Sequence, residues 1–353
     1  MVHEEALGTA NLNEIRRVSE KQEVANLRIV SFSPYLEEVA SGIARLFPDA
    51  QLAIVPLDSS VEEKLKAVQD ATILLGDYRQ RNRIDKAIIQ AAKNLKLIQQ
   101  PTVGCEAVDI IAATEFGVPV ANTAGFNSVG VAEHALMMAL ALLKKVPKLS
   151  KETCNCNWLQ VEMVATGGVW ELEGRTLGIL GFGRAGKELA KRARVFGPRI
   201  LYNKRSRLPE AEERELGIQY CSFDDILARS DILSVHVPLT DETKGMIGRE
   251  EIARMKKGAI LLNLARGEVV DAGALAEAVK SGKLAGAGLD VFDPEPITPG
   301  NPLIGLENVM LTPHIAGATA ESKAKSIRMC FDNFARVAHG EKPVNILNTD
   351  SDG

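Results

Sequence analysis

Three side chains able to do ionic and acid–base chemistry each follow an apolar segment that predicts a β-strand. They are Arg266 after residues 259–264, Glu295 after residues 285–290 and His314 after residues 309–312. An arginine presents a planar fork of donors to a carboxylate and its neighbouring carbonyl oxygen, and a histidine gives or takes a proton near neutral pH. A glutamate paired with that histidine would raise the pKa of the imidazole and fix its tautomer. Because strand ends meet at one edge of an open parallel sheet, the pattern predicts a site that orients a small acid and moves a proton.

A glycine-rich turn supplies the second chemical signal. The segment Thr176–Ala190 reads TLGILGFGRAGKELA, which is an apolar strand, then Gly181, Gly183 and Gly186, then a helical pattern. Gly181 permits a tight turn, Gly183 lets the backbone approach a pyrophosphate, and Gly186 lets the helix pack close to the strand. The helix that begins near Arg184 directs free N–H groups at the phosphates. The spacing therefore predicts a dinucleotide site.

The composition argues against several other classes of protein. The chain has 353 residues, enough for two domains, with 46% hydrophobic and 25% charged residues as in an ordinary globular protein. Its formal charge of −4 gives no reason to expect a nucleic acid or an anionic membrane as partner. No apolar run approaches the length of a membrane span, and Met1–Glu23 has no apolar signal-peptide core, so we expect a frayed extension or a short extra helix there. The 5 cysteines are scattered without zinc spacing, which predicts reduced thiols, no metal and a cytoplasmic protein.

Strand and helix patterns alternate along the chain, which predicts parallel βαβ units and an α/β fold. The strand segments are 27–32, 50–55, 71–75, 95–99, 118–121, 176–180, 199–202, 231–236, 259–264, 285–290 and 309–312. The helical segments are 36–46, 61–67, 84–93, 129–145, 223–227, 249–254, 272–281 and 319–338, besides the helix that begins near residue 184. Residues 157–170 are expected to be irregular. A complete small sheet thus precedes the glycine-rich turn.

Two loops of that first sheet could recognise a substrate. Residues 76–83 place Tyr78 and three arginines, Arg81 among them, after the third strand, which suits either an anionic substrate or a solvated helix entry. Residues 101–109 follow the fourth strand, where the backbone N–H groups of Val103 and Gly104 could hold a carboxylate.

The strongly apolar helix 129–145 is the remaining unusual element. Its apolar girth suits burial between domains or in a dimer interface.

Four motifs in one order resemble the D-isomer-specific 2-hydroxyacid dehydrogenases. They are the glycine-rich turn, Asn263–Asp271 (NLARGEVVD), Gly288–Pro296 (GLDVFDPEP) and Leu311–Gly317 (LTPHIAG). The resemblance extends from about residue 27 to residue 343. It implies two doubly wound, Rossmann-like or flavodoxin-like parallel-sheet domains with a cleft between them. It also implies that residues 1–122 and 318–353 form the substrate domain, that residues 123–317 bind the dinucleotide, and that a homodimer is built on residues 129–145.

The same resemblance implies roles for individual residues. Arg266 would clamp the substrate, His314 would be the acid/base, and Glu295 would be its partner. Asp290 would meet the nicotinamide carboxamide, and Asn127 would lie in the interdomain crossover near the pocket. Together with Tyr78 and Arg81, which the charge pattern of their loop suggests, Val103, Gly104 and Arg266 would make up the substrate-binding set. The cofactor-binding set would be Gly181, Gly183, Arg184, Ala185, Gly186, Asn203, Lys204, Arg205, Val237, Pro238, Thr243, Ala265, Arg266, Asp290, His314 and Gly317.

The second strand of the nucleotide fold departs from the pattern of the NAD-preferring members. Those carry an acidic residue at the end of this strand, whereas residues 201–207 read LYNKRSR and hold no carboxylate. Lys204, Arg205 and Arg207 would attract a 2′-phosphate, and Asn203 can still bond to a ribose. We therefore expect NADP(H) to be favoured, with NAD(H) possible.

Several functions remain open from the sequence. The first is a reductase that gives a hydride from NAD(P)H to a small 2-oxoacid, and the second is a cofactor-sensing corepressor of the same fold. A formate dehydrogenase is disfavoured, because that branch has Gln rather than Glu at position 295. Glyoxylate or hydroxypyruvate reduction and 3-phosphoglycerate oxidation are both possible, and the lack of a long C-terminal regulatory domain favours small unphosphorylated oxoacids.

Overall fold

The computed structural model describes residues 27–33 and 37–348, and all strand pairs in its two sheets are parallel. The chain divides into two compact units. The first runs to Phe126 and resumes at Ala320, and the second comprises Asn127–Thr319. The prediction for residues 1–23 lies outside the described residues. Because strands and helices alternate in each unit, the predicted α/β class with two parallel sheets is confirmed.

The described residues of the first unit form five strands. They are β1 (Arg28–Ser31), β2 (Gln51–Ile54), β3 (Ile73–Leu75), β4 (Leu97–Gln99) and β5 (Val120–Ala121), in the sheet order β2-β1-β3-β4-β5. Its helices are α1 (Glu37–Leu46), α2 (Val61–Val68), α3 (Lys86–Ala91), α4 (Ile110–Glu115) and α13 (Ala320–Ala338). Helices α2, α3 and α4 cover one face of this sheet, and α1 and α13 cover the other.

The second unit contains seven strands. They are β6 (Thr176–Leu180), β7 (Arg199–Asn203), β8 (Ile218–Tyr220), β9 (Ile232–Val235), β10 (Ala259–Asn263), β11 (Leu284–Leu289) and β12 (Val309–Leu311), in the order β12-β11-β10-β9-β6-β7-β8. Its α-helices are α5 (Ser128–Leu143), α6 (Val146–Cys154), α7 (Gln160–Thr166), α8 (Arg184–Ala193), α9 (Glu210–Leu216), α10 (Phe223–Arg229), α11 (Arg249–Arg254) and α12 (Ala272–Lys280).

Both faces of the seven-stranded sheet are buried, because alternate residues of each strand enter different clusters. On β10, Ile260 and Leu262 pack with α5 and α8, whereas Ala259 and Leu261 pack with α10, α11 and α12. A strand buried on both faces reads as a continuous apolar run, which is why these strands were visible in the sequence.

The prediction of an irregular segment at residues 157–170 is wrong for its middle part. Helix α7 occupies Gln160–Thr166 and ends at Gly167, whose φ of +59° suits a glycine. Helix α6 precedes it, and the sequence reading also missed α4, α9 and the strand β8. These elements are short or solvent-exposed, so their apolar periodicity is weak.

The predicted helix 129–145 is apolar because it packs against the sheet of its own unit. Helix α5 buries Val131, Ala135, Met138 and Leu142 against the seven-stranded sheet. None of the described helices is long and apolar enough to cross a membrane.

Candidate active site

The glycine-rich turn joins β6 to α8 and leaves an open approach at its centre. Gly181 has a φ of +90°, and a Cβ there would lie 2.5 Å from the carbonyl carbon of His236. A Cβ at Gly186 would lie 2.7 Å from the carbonyl oxygen of Gly181. In contrast, a Cβ at Gly183 would meet nothing within 4 Å. Gly181 and Gly186 are thus required for packing, and Gly183, the N-cap of the 10-residue α8, faces free space.

The loop that carries Arg266 is held by a buried asparagine at the end of β10. The side-chain amide of Asn263 donates to the carbonyl of Arg266 at 2.9 Å, and its oxygen accepts from the N–H of Ala265 at 3.1 Å. Gly267 packs directly on the backbone of Phe292, so closely that a Cβ would overlap it. This contact brings the Arg266 loop against the loop that carries Glu295.

Glu295 and His314 form a hydrogen-bonded pair. Nδ1 of His314 lies 2.8 Å from one carboxylate oxygen of Glu295, and the N–H of Phe292 donates to the other at 2.9 Å. The hydrogen bond to Glu295 is the main reason that the pKa of His314 lies above its ordinary value, against burial and the charge of Arg266. Burial raises the pKa of Glu295, but the bonds from His314 and Phe292 outweigh it and the pKa is lowered. The positive charge of Arg266 lowers the pKa of both Glu295 and His314. Because Nδ1 of His314 is bonded to Glu295, its Nε2 is the atom that can exchange a proton.

Asp290, at the end of β11, is almost completely buried. One of its carboxylate oxygens accepts from the N–H of Ile315 at 2.9 Å, and the other accepts from the N–H of Ala316 at 2.7 Å. The side chain therefore fixes the backbone just after His314. The predicted contact of Asp290 with a carboxamide stays a prediction.

Arg207, one of the residues predicted to attract a phosphate, is engaged by a neighbouring carboxylate. Its guanidinium forms a two-pronged pair with Glu213, with distances of 2.9 and 2.8 Å, and Glu213 also accepts from the hydroxyl of Tyr202 at 2.6 Å. Arg207 is the main cause that lowers the pKa of Glu213 to about 2. Because Glu213 engages two donors of the Arg207 guanidinium, we expect a phosphate to be bound mainly by Lys204 and Arg205.

The other predicted cofactor residues lie beside these at the same edge of the sheet. The amide of Asn203 donates to the carbonyl of Cys221 at 2.8 Å, which leaves its oxygen for a ribose hydroxyl. After β9, the hydroxyl of Thr243 donates to the carbonyl of Pro238 at 2.6 Å and so closes the loop that begins at Val237. Burial lowers the pKa of the neighbouring His236 to about 4, so this ring adds no charge at neutral pH.

Gly317 ends the loop that carries His314, and it packs on the start of α5. A Cβ at Gly317 would lie 2.5 Å from the side-chain nitrogen of Asn127, the N-cap residue of α5. Asn127 thus supports this loop by close contact, a role that its position before the helix does not reveal.

In the first unit, the predicted substrate loop 76–83 is organised by Asp77. Its buried carboxylate accepts from the N–H groups of Arg79, Arg81 and Asn82, at 3.1, 2.9 and 3.0 Å. Tyr78 stays 43% exposed. The loop is therefore a fixed platform that presents the side chains of Tyr78 and Arg81.

The second loop of this unit has its carbonyl groups turned inward. Four consecutive carbonyls accept hydrogen bonds: Pro101 from Ser326 (2.6 Å), Thr102 from the N–H of Thr123 (3.2 Å), Val103 from Asn122 (2.8 Å) and Gly104 from Thr102 (2.8 Å). Gln100 links the two loops, since its amide donates to Asp77 and to Thr102, both at 2.9 Å. This arrangement suits the predicted role of the N–H groups of Val103 and Gly104.

A comparison with known families decides which family the chain belongs to. The model described as D-isomer specific 2-hydroxyacid dehydrogenase, NAD binding domain, matches residues 136–316. The chain belongs to the D-isomer specific 2-hydroxyacid dehydrogenase family. As a member of it, this dehydrogenase is a nicotinamide-dependent oxidoreductase of 2-oxo and 2-hydroxy acids.

Individual relatives agree with this assignment. A glyoxylate reductase of Aeropyrum pernix is 41% identical over 272 residues, which cover 76% of this chain and 80% of that protein. A D-3-phosphoglycerate dehydrogenase of Archaeoglobus fulgidus is 40% identical over 274 residues, covering 77% of this chain but only 51% of that longer protein. A solved structure from Thermus thermophilus is 34% identical, with a TM-score of 0.80, covering 91% of this chain and 100% of that one.

The dehydrogenase chain fits the nicotinamide dinucleotide that its family implies. A side chain at Gly181 or Gly186 would collide with neighbouring backbone, whereas Gly183 opens onto free space at a helix N-terminus, as a pyrophosphate requires. The supporting residues Asn263, Gln100 and Asn122 were not singled out from the sequence. Each is a polar residue at the end of an apolar run, and such a residue gives no signal about its partner.

Proposed function

We propose that this dehydrogenase reduces a small, unphosphorylated 2-oxoacid, such as glyoxylate or hydroxypyruvate, and that it favours NADPH. The observation that carries the proposal is the Glu295–His314 hydrogen bond beside Arg266 in the unit that holds the glycine-rich turn. The similarity to a glyoxylate reductase over 80% of its length supports this substrate class, whereas the 3-phosphoglycerate dehydrogenase, with nearly the same identity, is matched over only 51% of its length.

In the proposed reaction, Arg266 binds the carboxylate of the oxoacid and the neighbouring carbonyl oxygen. Its charge stabilises the negative charge that develops on that oxygen, and its planar fork fixes the orientation of the acid. His314 donates a proton from Nε2 to the same oxygen, because its Nδ1 is engaged by Glu295. In the direction of oxidation, the neutral ring takes the proton back.

The cofactor would be held by the glycine-rich turn and by the loops after β7 and β9. When bound, its nicotinamide ring supplies or accepts the hydride. Lys204 and Arg205 would face a 2′-phosphate, and Asn203 would bond to the ribose. The pKa of Glu242 is lowered mainly by a hydrogen bond from Thr240 and, to a smaller extent, by the positive charge of Arg205.

A panel of 2-oxoacids assayed with NADH and with NADPH tests the proposal. We expect turnover of glyoxylate or hydroxypyruvate, faster with NADPH. Tight cofactor binding without turnover of any oxoacid would overturn the proposal in favour of a cofactor-sensing protein.

Changing Glu295 to glutamine should shift the pH dependence of catalysis. Because the carboxylate raises the pKa of His314, its removal lowers that pKa. Oxidation needs the neutral ring, so its acidic limb should move to lower pH. Reduction needs the protonated ring, so its alkaline limb should also move to lower pH.

The measurement is kcat/KM against pH in both directions. Glu307→Gln, which removes an exposed carboxylate paired with Lys148, is the control. An unchanged or raised apparent pKa would show that Glu295 and His314 are not coupled.

Changing Tyr78 and Arg81 together to alanine should alter which oxoacid is preferred. Both belong to the loop organised by Asp77 in the first unit, whereas the glycine-rich turn belongs to the second. We expect ratios of kcat/KM between oxoacids to change by roughly 10-fold with little change in NADPH dissociation. Arg45→Ala, an exposed arginine on α1 of the same unit, is the matched control. A changed NADPH affinity with the same substrate ranking would contradict this role.

The proposal includes a homodimer, with a surface that differs from the predicted one. Since α5 is largely buried in its own unit, we assign the contact to the apolar side chains that follow it. Trp158, Val161 and Val164 are 74%, 77% and 78% exposed, and a group of exposed apolar side chains marks an interaction surface. Light scattering should give a dimer for the native chain and a monomer after Val161→Glu with Val164→Glu. A native monomer would overturn this part of the proposal.

A further inference from the structure

The loop that presents His314 has an unusual backbone conformation. His314 has a φ of +54°, a region that residues with a Cβ rarely adopt. Such a conformation persists only where surrounding contacts enforce it. The N–H groups of Ile315 and Ala316 both point to the carboxylate of Asp290, so the backbone after His314 is tied to this one side chain.

Asp290 is in turn held by a hydroxyl and an imidazole that the proposed reaction does not use. The hydroxyl of Thr312 donates to Oδ1 of Asp290 at 2.5 Å, and Nε2 of His134 lies 3.0 Å from the same hydroxyl oxygen. A carboxylate oxygen only accepts, and Thr312 has a single hydroxyl proton. Nε2 of His134 must therefore carry a proton and donate it to Thr312. The ring of His134 is 13% exposed and stands on α5, which is packed on the sheet.

We propose that His134 and Thr312 are positioning residues that hold Asp290 and, through it, the backbone of His314. This inference rests on the proposed role of His314. The chain of contacts runs from a helix in the core to the turn that carries the acid/base. It fixes the distance between Nδ1 of His314 and Glu295, on which the raised pKa of the imidazole depends.

Removing the hydrogen bonds from His134 and Thr312 should loosen the His314 turn without weakening cofactor binding. Glu295, Arg266 and Asp290 are the charged groups that act on His314, and Glu295 has the largest effect. A looser turn weakens the bond to Glu295, so the pKa of His314 should fall. Thr312→Val removes the hydroxyl at nearly constant size, and His134→Leu removes the donor. Thr312→Ser and His134→Gln keep a donor at each place.

The experiment compares these four variants with Glu133→Gln, which changes the neighbouring exposed residue of α5. We expect Thr312→Val and His134→Leu to lower kcat about 10-fold, to move the alkaline limb of reduction to lower pH, and to leave NADPH dissociation within about twofold. Thr312→Ser, His134→Gln and Glu133→Gln should stay close to the native enzyme. If Thr312→Val fails to fold, His134→Leu decides the question.

A titration of His314 by NMR gives a second readout that needs no turnover. The chain has 5 histidines, so the signal is assigned with His314→Asn. We expect a lower pKa of His314 in Thr312→Val and in His134→Leu. Native kcat and a native His314 pKa in both variants would overturn the inference, as would losses that Thr312→Ser does not restore. An enzyme inactive on every oxoacid overturns the proposed function instead, and the titration still tests the positioning role.

Discussion

Replacing Arg266 with alanine is expected to lower kcat/KM for every 2-oxoacid by roughly 10²- to 10³-fold, which corresponds to about 3–4 kcal/mol. In the proposed reaction the guanidinium orients the acid and stabilises charge that develops on the carbonyl oxygen, and the variant would lose both functions together. Asn263 binds the backbone of Arg266 rather than its side chain, so the loop should keep its shape in the variant. Steady-state kinetics with glyoxylate and hydroxypyruvate measure the effect.

Two further variants show whether the loss of activity depends on the guanidinium of Arg266 itself. Arg266→Lys keeps the charge but not the planar fork, so we expect an intermediate loss. Arg249→Ala removes an exposed arginine that pairs with Glu277 in the same unit, and it should leave kcat/KM unchanged. Near-native activity of Arg266→Ala on all oxoacids would remove Arg266 from the site.

Replacing Lys204 with aspartate is expected to reverse the cofactor preference. Lys204 and Arg205 together should favour a 2′-phosphate by about 2–3 kcal/mol, or roughly 30- to 150-fold in kcat/KM for NADPH over NADH. An aspartate would repel the phosphate and accept from the ribose hydroxyls. Because Arg205 is exposed and Lys204 is half-buried, the native preference should shrink as salt rises. The measurement is kcat/KM with both cofactors at low and high salt.

The controls for this loop follow from the observed ion pairs. Arg214→Asp makes the same change of charge on α9, at a side chain that pairs with the exposed Glu210 at 3.5 Å, and should leave the ratio unchanged. Arg207→Gln should lower stability, because it leaves the buried carboxylate of Glu213 without its ionic partner, but it should change the ratio little. A native preference for NADH, or an unchanged ratio in Lys204→Asp, would overturn the NADPH assignment.

The sequence alone determined the class of fold and the chemical character of the candidate site. Strands buried on both faces appear as continuous apolar runs, and a turn that admits only glycine at residue 181 is visible as a glycine spacing. Arg266, Glu295 and His314 could be grouped because each follows such a strand, and parallel strands end at one edge. These signals are local in the sequence, so they can be recognised without knowing which residues meet in the fold.

Only the tertiary structure decided which polar groups meet. Arg207 looks like Lys204 and Arg205 in sequence, yet the helix α9 brings Glu213 to it and engages its guanidinium. His134 and Thr312 are 178 residues apart and meet because α5 packs on the sheet beside β12. Such pairings depend on the packing of distant elements, and a side chain's type states what bonds it can make but not which partner the fold will bring.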